Sequence, residues 1–265
     1  MFSPRYIYCE QSHVSTYLHE IAELGLGVEV LFENPADLWP QVRWERLLDL
    51  ADAAADAGVE ISAHGPFHSL NLASKDAHIR VYSQEVLLAA LEAARAFRSP
   101  HLVFHTGFLP QYSPKARAKW LDGFSVGLER LLIRASELEV RLALENTYET
   151  DLTLFEDIFE RFPSPALGMC LDTGHATCYG TVDPREWSHR FADRICHVHC
   201  SDNDGQSDLH LGLGTGVVDF RAILYPLARH GGEVSVTLEV SAADAAASRS
   251  YLNDLVNQLS GEIPR

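Results

Sequence analysis

The sequence of 265 residues has few cysteines and no long apolar run. No cysteines are spaced as CxxC, which argues against a structural zinc ribbon, and their odd number argues against a disulfide framework. We expect reduced core thiols at the five positions Cys9, Cys170, Cys178, Cys196 and Cys200. No stretch approaches the roughly 20 apolar residues that span a bilayer, and the start, MFSPRYIY, lacks a signal-peptide layout. These absences predict a soluble cytoplasmic protein with no membrane partner.

Basic residues are also scarce. Lysine and arginine number 21 against 37 aspartates and glutamates, which gives a formal net charge of −16. Such a charge disfavours a broad surface for phosphate backbones, although a local basic patch or bound divalent cations would offset it. Carboxylates that bind metal would account for part of this negative charge.

What the sequence does contain is a repeated alternation of short apolar runs and Ala/Leu/Glu/Arg-rich segments with helical spacing. The predicted strands are Tyr6 to Cys9, Val28 to Phe32, Glu60 to His64, Leu102 to His105, Arg141 to Glu145, Leu167 to Asp172, Ile195 to Cys200 and Val234 to Glu239. Predicted helices include Trp44 to Ala57, Ala77 to Phe97, Ala116 to Leu138, Phe220 to His230 and Ala242 to Leu259. Eight βα units, with no glycine-rich turn after the first strand, predict an α/β fold: a single (β/α)₈ TIM-barrel domain over residues 1–265.

Most of these strands end on residues that can bind a metal. His64, His105, Glu145, Asp172, His199 and Glu239 lie at or next to strand ends, and His175, Asp208 and His210 follow in loops. A barrel brings all carboxyl-terminal strand ends to one rim, so these residues should converge there. A lone histidine at such a place is more often structural, but six matched positions favour a metal site. Histidines outside this pattern are interpreted as structural or surface residues, with His68 and His197 open to substrate.

The donor types constrain the metal. Imidazole and carboxylate ligands without thiolate favour zinc or manganese, and also iron or cobalt, over calcium or magnesium. Four ligands suffice for one ion, whereas nine candidates exceed its needs and allow up to three ions. We therefore expect one to three divalent cations.

With these motifs, the sequence resembles the xylose-isomerase-like barrel superfamily, which contains endonuclease IV and many sugar isomerases and epimerases. The resemblance covers nearly the whole chain and is most specific in HGPFHSLNLAS, LENT, GMCLDTGH, HCSDNDGQSDLHLGLGTG and LEV. It implies a shared metal site at Glu145, Asp172, His199 and Glu239. It further implies that His64, His105, His175, Asp208 and His210 match the positions that complete a trinuclear zinc site in endonuclease IV.

Two functions compete within this resemblance. The preferred one is a metal-dependent isomerase or epimerase of a sugar or sugar phosphate, in which proton transfer by Glu145 and Glu239 passes through a metal-stabilised enediolate and His175 and His68 bind substrate. The alternative is an endonuclease IV-like phosphodiesterase acting on abasic DNA or a smaller phosphoester. Against it, that family carries an arginine and aromatic loop that enters DNA after the second strand, whereas this chain has Asn34 to Trp39 without an arginine and with Asp37, which would repel phosphate. A binding protein on a retained barrel is a third, least supported reading.

Overall fold

The computed structural model describes residues 2–263. Eight strands form one closed parallel barrel in the order β1 to β8, which confirms the predicted (β/α)₈ fold. Their bounds are β1 Phe2–Glu10, β2 Gly27–Leu31, β3 Ile61–His64, β4 His101–His105, β5 Arg141–Glu145, β6 Leu167–Asp172, β7 Ile195–Cys200 and β8 Val234–Leu238. Four of these strands, β2, β3, β6 and β8, are buried along their whole length, as expected of parallel strands that are covered on both faces.

Nine α-helices are found among residues 2–263, together with a short 3₁₀-helix at Pro35–Asp37. Their bounds are α1 Val14–Glu23, α2 Trp44–Asp56, α3 Ala77–Ala96, α4 Pro114–Leu138, α5 Thr153–Arg161, α6 Thr173–Cys178, α7 Pro184–Arg190, α8 Phe220–His230 and α9 Ala245–Glu262. Within the described part of the chain, none of them is both long and apolar enough to cross a membrane.

Local sequence signals explain several boundaries. Helix α4 begins two residues before the predicted Ala116 because Ser113 caps it: the Ser113 Oγ accepts a hydrogen bond from the Ala116 N–H at 3.3 Å. Pro114 occupies the first helical position, where its fixed φ suits the helix and its missing N–H costs nothing. Strand β8 ends at Leu238, so Glu239 lies one residue beyond the strand that was predicted to include it.

The expectation that all five thiols lie in the core is only partly correct. None of the five cysteines forms a disulfide bond within residues 2–263, and Cys9, Cys170 and Cys200 are buried. Cys178, the last residue of α6, and Cys196, the second residue of β7, retain intermediate exposure.

The contacts divide the chain into two compact units. Among the described residues, one contains residues 2–8, 145–152 and 169–263, and the other contains residues 9–144 and 153–168. We call them the carboxylate unit and the lysine unit, after the side chains described below, and describe each by itself. The carboxylate unit contains seven of the nine predicted metal ligands, whereas the lysine unit contains His64 and His105.

Candidate metal centre

Strand register places two predicted ligands of the carboxylate unit at one level and a third two residues further along the neighbouring strand. Asp172 on β6 pairs with His199 on β7, and His199 pairs with Thr237 on β8. The Glu239 N–H then donates a hydrogen bond to the Cys200 carbonyl at 3.0 Å, which extends the same register past the end of β8. The side chains that end neighbouring parallel strands therefore meet, although 67 positions of sequence separate Asp172 from Glu239.

Three of the four ligands predicted for the shared metal site, Glu145, Asp172 and Glu239, converge on an imidazole nitrogen of the fourth, His199. The His199 Nδ1 lies 3.2 Å from the Glu239 Oε1, 3.6 Å from the Glu145 Oε2 and 3.9 Å from the Asp172 Oδ2. His199 has no solvent-exposed surface, and the three carboxylates are 1–8% exposed. Glu145, Asp172 and His175 also each present a ligand atom within 4.8 Å of the others. The geometry unites all four residues in one buried cluster.

The electrostatics of this cluster fit a divalent cation. Three buried carboxylates so close together repel one another unless a positive charge lies among them. Burial raises the pKa of Glu239 to about 7, and the charges of Asp172 and Glu145 act in the same direction. The Asp172 Oδ2 is buried without a hydrogen-bond partner in residues 2–263. These residues can hold a metal ion, which would supply the missing partner and the missing positive charge.

A second cluster surrounds Asp208. Its Oδ2 lies 3.3 Å from the His175 Nε2 and 3.1 Å from the His210 Nε2, while its Oδ1 is buried with no hydrogen-bond partner in the part of the chain described. The Nδ1 of His175 donates to the Asn146 carbonyl at 3.0 Å, and that of His210 to the Glu239 carbonyl at 3.1 Å. Backbone hydrogen bonds of this kind orient a ring and leave its Nε2 for a metal.

The surroundings of this second cluster favour the protonated form of both histidines. The hydrogen bond to Asp208 raises the pKa of His210 to about 9. Burial lowers the pKa of His175, but the charge of Asp172 and the hydrogen bonds to Asp208 and Glu145 outweigh it and raise the pKa well above its usual value. Burial opposes ionisation of Asp208, yet hydrogen bonds from both histidines hold its pKa far below its usual range.

Sequence reasoning missed the residue that shapes the loop after β7. Asp202 is fully buried, and its two carboxylate oxygens accept hydrogen bonds from four backbone N–H groups. Those donors are Asn203 at 2.9 Å, Gly214 at 3.0 Å, Gly216 at 2.9 Å and Val218 at 3.0 Å. The loop leaves through Asp208 and His210 and returns beside Asp202, where Asp202 also pairs with Leu211. A fixed carboxylate therefore holds the segment that carries two predicted ligands.

Asn146 is a second positioning residue that was not predicted. Its side chain accepts the Asp172 N–H at 2.8 Å and donates to the Asp172 carbonyl at 3.0 Å, and its own carbonyl binds His175. Asp172 in turn caps helix α6, since its Oδ1 accepts the His175 N–H at 2.6 Å. The usable signal was position: Asn146 follows Glu145 directly, and Asp202 lies three residues after His199.

In the lysine unit, His64 and His105 lie together, with ring centroids 5.1 Å apart. The His64 Nδ1 donates to the Gly65 carbonyl at 2.8 Å, the same arrangement as in His175 and His210. Phe67 stacks on His105 at 4.5 Å. The predicted substrate residue His68 is exposed beside Phe67, and its Nε2 lies 3.8 Å from the Glu33 Oε1.

The aromatic residues that follow the fourth and fifth strands have different environments. Phe108 is buried against Trp120 and Tyr112, so it belongs to the core rather than to a substrate wall. Tyr148 is half exposed and packs on Tyr179, a residue that was not predicted, which itself stacks on His175 at 5.7 Å. The remaining histidines His101 and His197 are buried and hydrogen-bonded to hydroxyl groups, in agreement with a structural interpretation.

A closed parallel barrel with histidine and carboxylate clusters at its strand ends defines a (β/α)₈ barrel equipped to hold metal. Residues 18–255 match the family described as the xylose isomerase-like TIM barrel, and the chain belongs to that family. The predicted resemblance is therefore confirmed.

Individual relatives show how wide this family is. The chain is 29% identical over 256 residues to the uncharacterized protein MJ1311 of Methanocaldococcus jannaschii, covering 91% of this chain and 84% of that protein. It is 28% identical over 208 residues to a protein named probable endonuclease 4 of Mycobacterium tuberculosis, covering 72% and 76%.

Solved structures share the whole fold. The TTHB071 protein from Thermus thermophilus, studied after soaking with ZnCl₂, has a TM-score of 0.83 and 28% identity and covers 97% of this chain and 99% of its own. A D-tagatose 3-epimerase-like protein has a TM-score of 0.83 at 24% identity, covering 98% and 99%. The second likeness concerns the fold alone.

Proposed function

We propose that this protein is a divalent-metal-dependent isomerase or epimerase of a sugar or sugar phosphate. The observation that carries the proposal is the approach of two glutamates to one imidazole: the Glu239 Oε1 and the Glu145 Oε2 lie 3.2 Å and 3.6 Å from the His199 Nδ1. Two carboxylates on either side of one site can remove a proton from a carbon and return it, which is what isomerisation and epimerisation require.

The residue roles follow from the first cluster. Glu145, Asp172, His199 and Glu239 would hold the ion, with zinc or manganese favoured by the donor set. A bound ion would polarise the carbonyl and neighbouring hydroxyl oxygens of a ketose and acidify the hydroxyl-bearing carbon next to the carbonyl. Glu145 and Glu239 would transfer the proton, and His175 and His68 would bind substrate oxygens. Asn146 and Asp202 position Asp172 and the loop that carries Asp208 and His210.

A second candidate is a metal-dependent phosphodiesterase with additional ions. The cluster around Asp208 favours it, because the isomerase scheme gives no chemical role to Asp208 or His210, whereas a further ion could bind between Asp208 and the Nε2 atoms of His175 and His210. The pair His64 and His105 would add two more ligands. Several relatives near 28% identity are named probable endonuclease 4, which agrees with this candidate.

Two measurements separate these functions. Elemental analysis of the purified protein should give close to one ion per chain for the isomerase, and about three would favour the phosphodiesterase. Incubation with candidate ketoses in deuterated water should introduce deuterium at the carbon next to the carbonyl. Because acid–base residues contribute about 10²- to 10⁴-fold, Glu239→Gln should lower this exchange by at least that lower factor.

The same strand supplies a matched control. Glu233 is exposed and precedes β8, whereas Glu239 is buried and follows it. Glu233→Gln should leave both metal content and exchange unchanged. Nicking of an abasic-site duplex by the wild type, lost in Glu145→Gln and without deuterium exchange into any ketose, would overturn the isomerase and establish the second candidate.

A further inference from the structure

All three lysines of the chain line one cavity. Lys75, Lys115 and Lys119 are the only lysines in 265 residues, in a protein with net charge −16. The cavity, of about 710 Å³, lies between the loop that follows β3 and the loop that leads into α4, within the lysine unit. Its volume falls in the range of about 300–1,000 Å³ that is usual for small-molecule sites. Every lysine ammonium group of this acidic protein therefore lies at one site.

The positive charge of this cavity is not neutralised by protein. Lys115 and Lys119 are one helical turn apart on α4, where like charges repel. Within residues 2–263, no ammonium group of the three forms an ion pair or a hydrogen bond. The nearest carboxylate in sequence, Asp76, caps helix α3 instead, since its Oδ1 accepts the His78 N–H at 2.8 Å. No carboxylate of the described residues therefore pairs with the lysines that line this cavity.

The positive end of helix α4 opens on the same cavity. Ser113 and Ala116, its cap and an early residue, line the wall, and the first turn contains no acidic side chain. The partial charge of a helix N-terminus and its backbone N–H groups favour bound anions. This feature adds to the lysines but would not define a site alone.

An independent observation comes from Trp120, which also lines the cavity. The residue is 5% exposed, and its Nε1–H is buried without a hydrogen-bond partner among the residues that the structure describes. An unpaired buried donor is costly, so such groups normally have a partner. Stacking on Phe124 at 4.7 Å and an edge contact with Phe108 at 5.1 Å fix the indole in the wall of the cavity.

We propose that this cavity binds the phosphoryl group of a small phosphate ester. Three ammonium groups, a helix N-terminus and a fixed indole N–H together match a multiply charged group with several acceptor oxygens. The size of the cavity and the net charge of −16 favour a small ligand over a nucleic acid, which the rest of the acidic protein would repel. The site is independent of the reaction proposed above.

The scarcity of lysine makes the test direct. Reductive ¹³C-methylation labels only Lys75, Lys115, Lys119 and the terminal amine, so each lysine gives a resolved NMR signal. Titration with inorganic phosphate, against sodium chloride of equal ionic strength, should shift all three lysine signals along one saturation curve. Calorimetry on unmodified protein should show that ribose 5-phosphate binds and ribose does not.

Variants decide which groups are responsible. Lys115→Gln with Lys119→Gln should weaken binding at least tenfold, and Trp120→Phe several-fold. The control pair Arg95→Gln with Arg130→Gln changes the net charge equally at exposed positions of α3 and α4 outside the cavity, and it should leave the dissociation constant unchanged. Absence of saturation, or equal binding by the lysine variant, would overturn the proposal. Tighter, lysine-dependent binding of a short DNA duplex would overturn the assignment to a small ester.

Discussion

The replacement Asp202→Asn tests how the loop after β7 is held in place. Asp202 is fully buried, and its Oδ1 accepts from Asn203 and Val218 while its Oδ2 accepts from Gly214 and Gly216. Asparagine has nearly the same shape but replaces one oxygen with an NH₂ group. Whichever oxygen is replaced, two backbone N–H groups then face a donor instead of an acceptor.

The size of the effect follows from those two lost bonds. A buried polar group left unsatisfied costs about 1–3 kcal/mol, so two cost about 2–6 kcal/mol, centred near 4 kcal/mol. That is a large part of the typical stability of about 5–15 kcal/mol. In a protein of this size each kcal/mol shifts the melting temperature by about 2–4 °C, so we expect a fall of about 8–16 °C.

Urea unfolding followed by circular dichroism, with chelator present in all samples, measures this free energy without a contribution from metal. The matched control is Asp204→Asn, because Asp204 is exposed and accepts from Gln206 and Ser207 in the same loop. Its donors can bind water instead, and the melting temperature should not change. A loss below about 1 kcal/mol in Asp202→Asn, or equal losses in both variants, would refute the role of buried hydrogen bonds in holding this loop.

Three further predictions concern other parts of the chain. Removal of metal by a chelator should lower the melting temperature, since an ion at a concentration of 100 times its dissociation constant stabilises the folded state by about 2.7 kcal/mol. Glu145→Gln should abolish the difference between melting temperatures with and without chelator. Identical melting curves of the wild type with and without chelator would contradict this prediction. Gly216→Ala should destabilise by about 1–3 kcal/mol in urea unfolding, because the new Cβ would lie 2.2 Å from the Asn203 carbonyl oxygen, whereas Gly261→Ala meets open space. Burial and, to a smaller extent, the charge of Glu10 raise the pKa of Cys9 to about 11. Because the thiolate is the reactive form, iodoacetamide at pH 8 should label Cys9 only after unfolding. Rapid labelling of Cys9 in the folded protein, measured by mass spectrometry, would disprove this.

Much of the fold could be predicted because its signals are local. The eight apolar runs were bounded by polar or helical segments, and a strand such as Arg141–Glu145 or Ile195–Cys200 begins and ends where the pattern indicated. Predicted helix boundaries were wrong where a capping residue determines the end of the helix. Ser113 and Pro114 start α4 two residues before Ala116, the start that the apolar spacing predicted. A cap is a specific hydrogen bond, and periodicity does not detect it.

The residues of the candidate site could be predicted from the sequence, but the way in which they divide into separate clusters could not. Parallel strand ends lie on one rim, so residues such as Asp172 and His199 had to be close once the strands were placed. Periodicity could not show that Asp208 faces both His175 and His210, because this depends on the path of a 19-residue segment between β7 and α8. Asp202, which holds that path, resembles any other loop aspartate in sequence.

The sequence by itself therefore determined the eight βα units, the barrel and the residues at its strand ends, because hydrophobic period and strand order are written along the chain. Only the tertiary structure decided which donors share a cluster, that one oxygen each of Asp172 and Asp208 is buried without a hydrogen-bond partner in residues 2–263, and that all three lysines line one cavity. The physical reason is that burial and electrostatic interaction depend on distances in space between groups far apart in sequence. Those distances are set by loop backbone conformation and by packing.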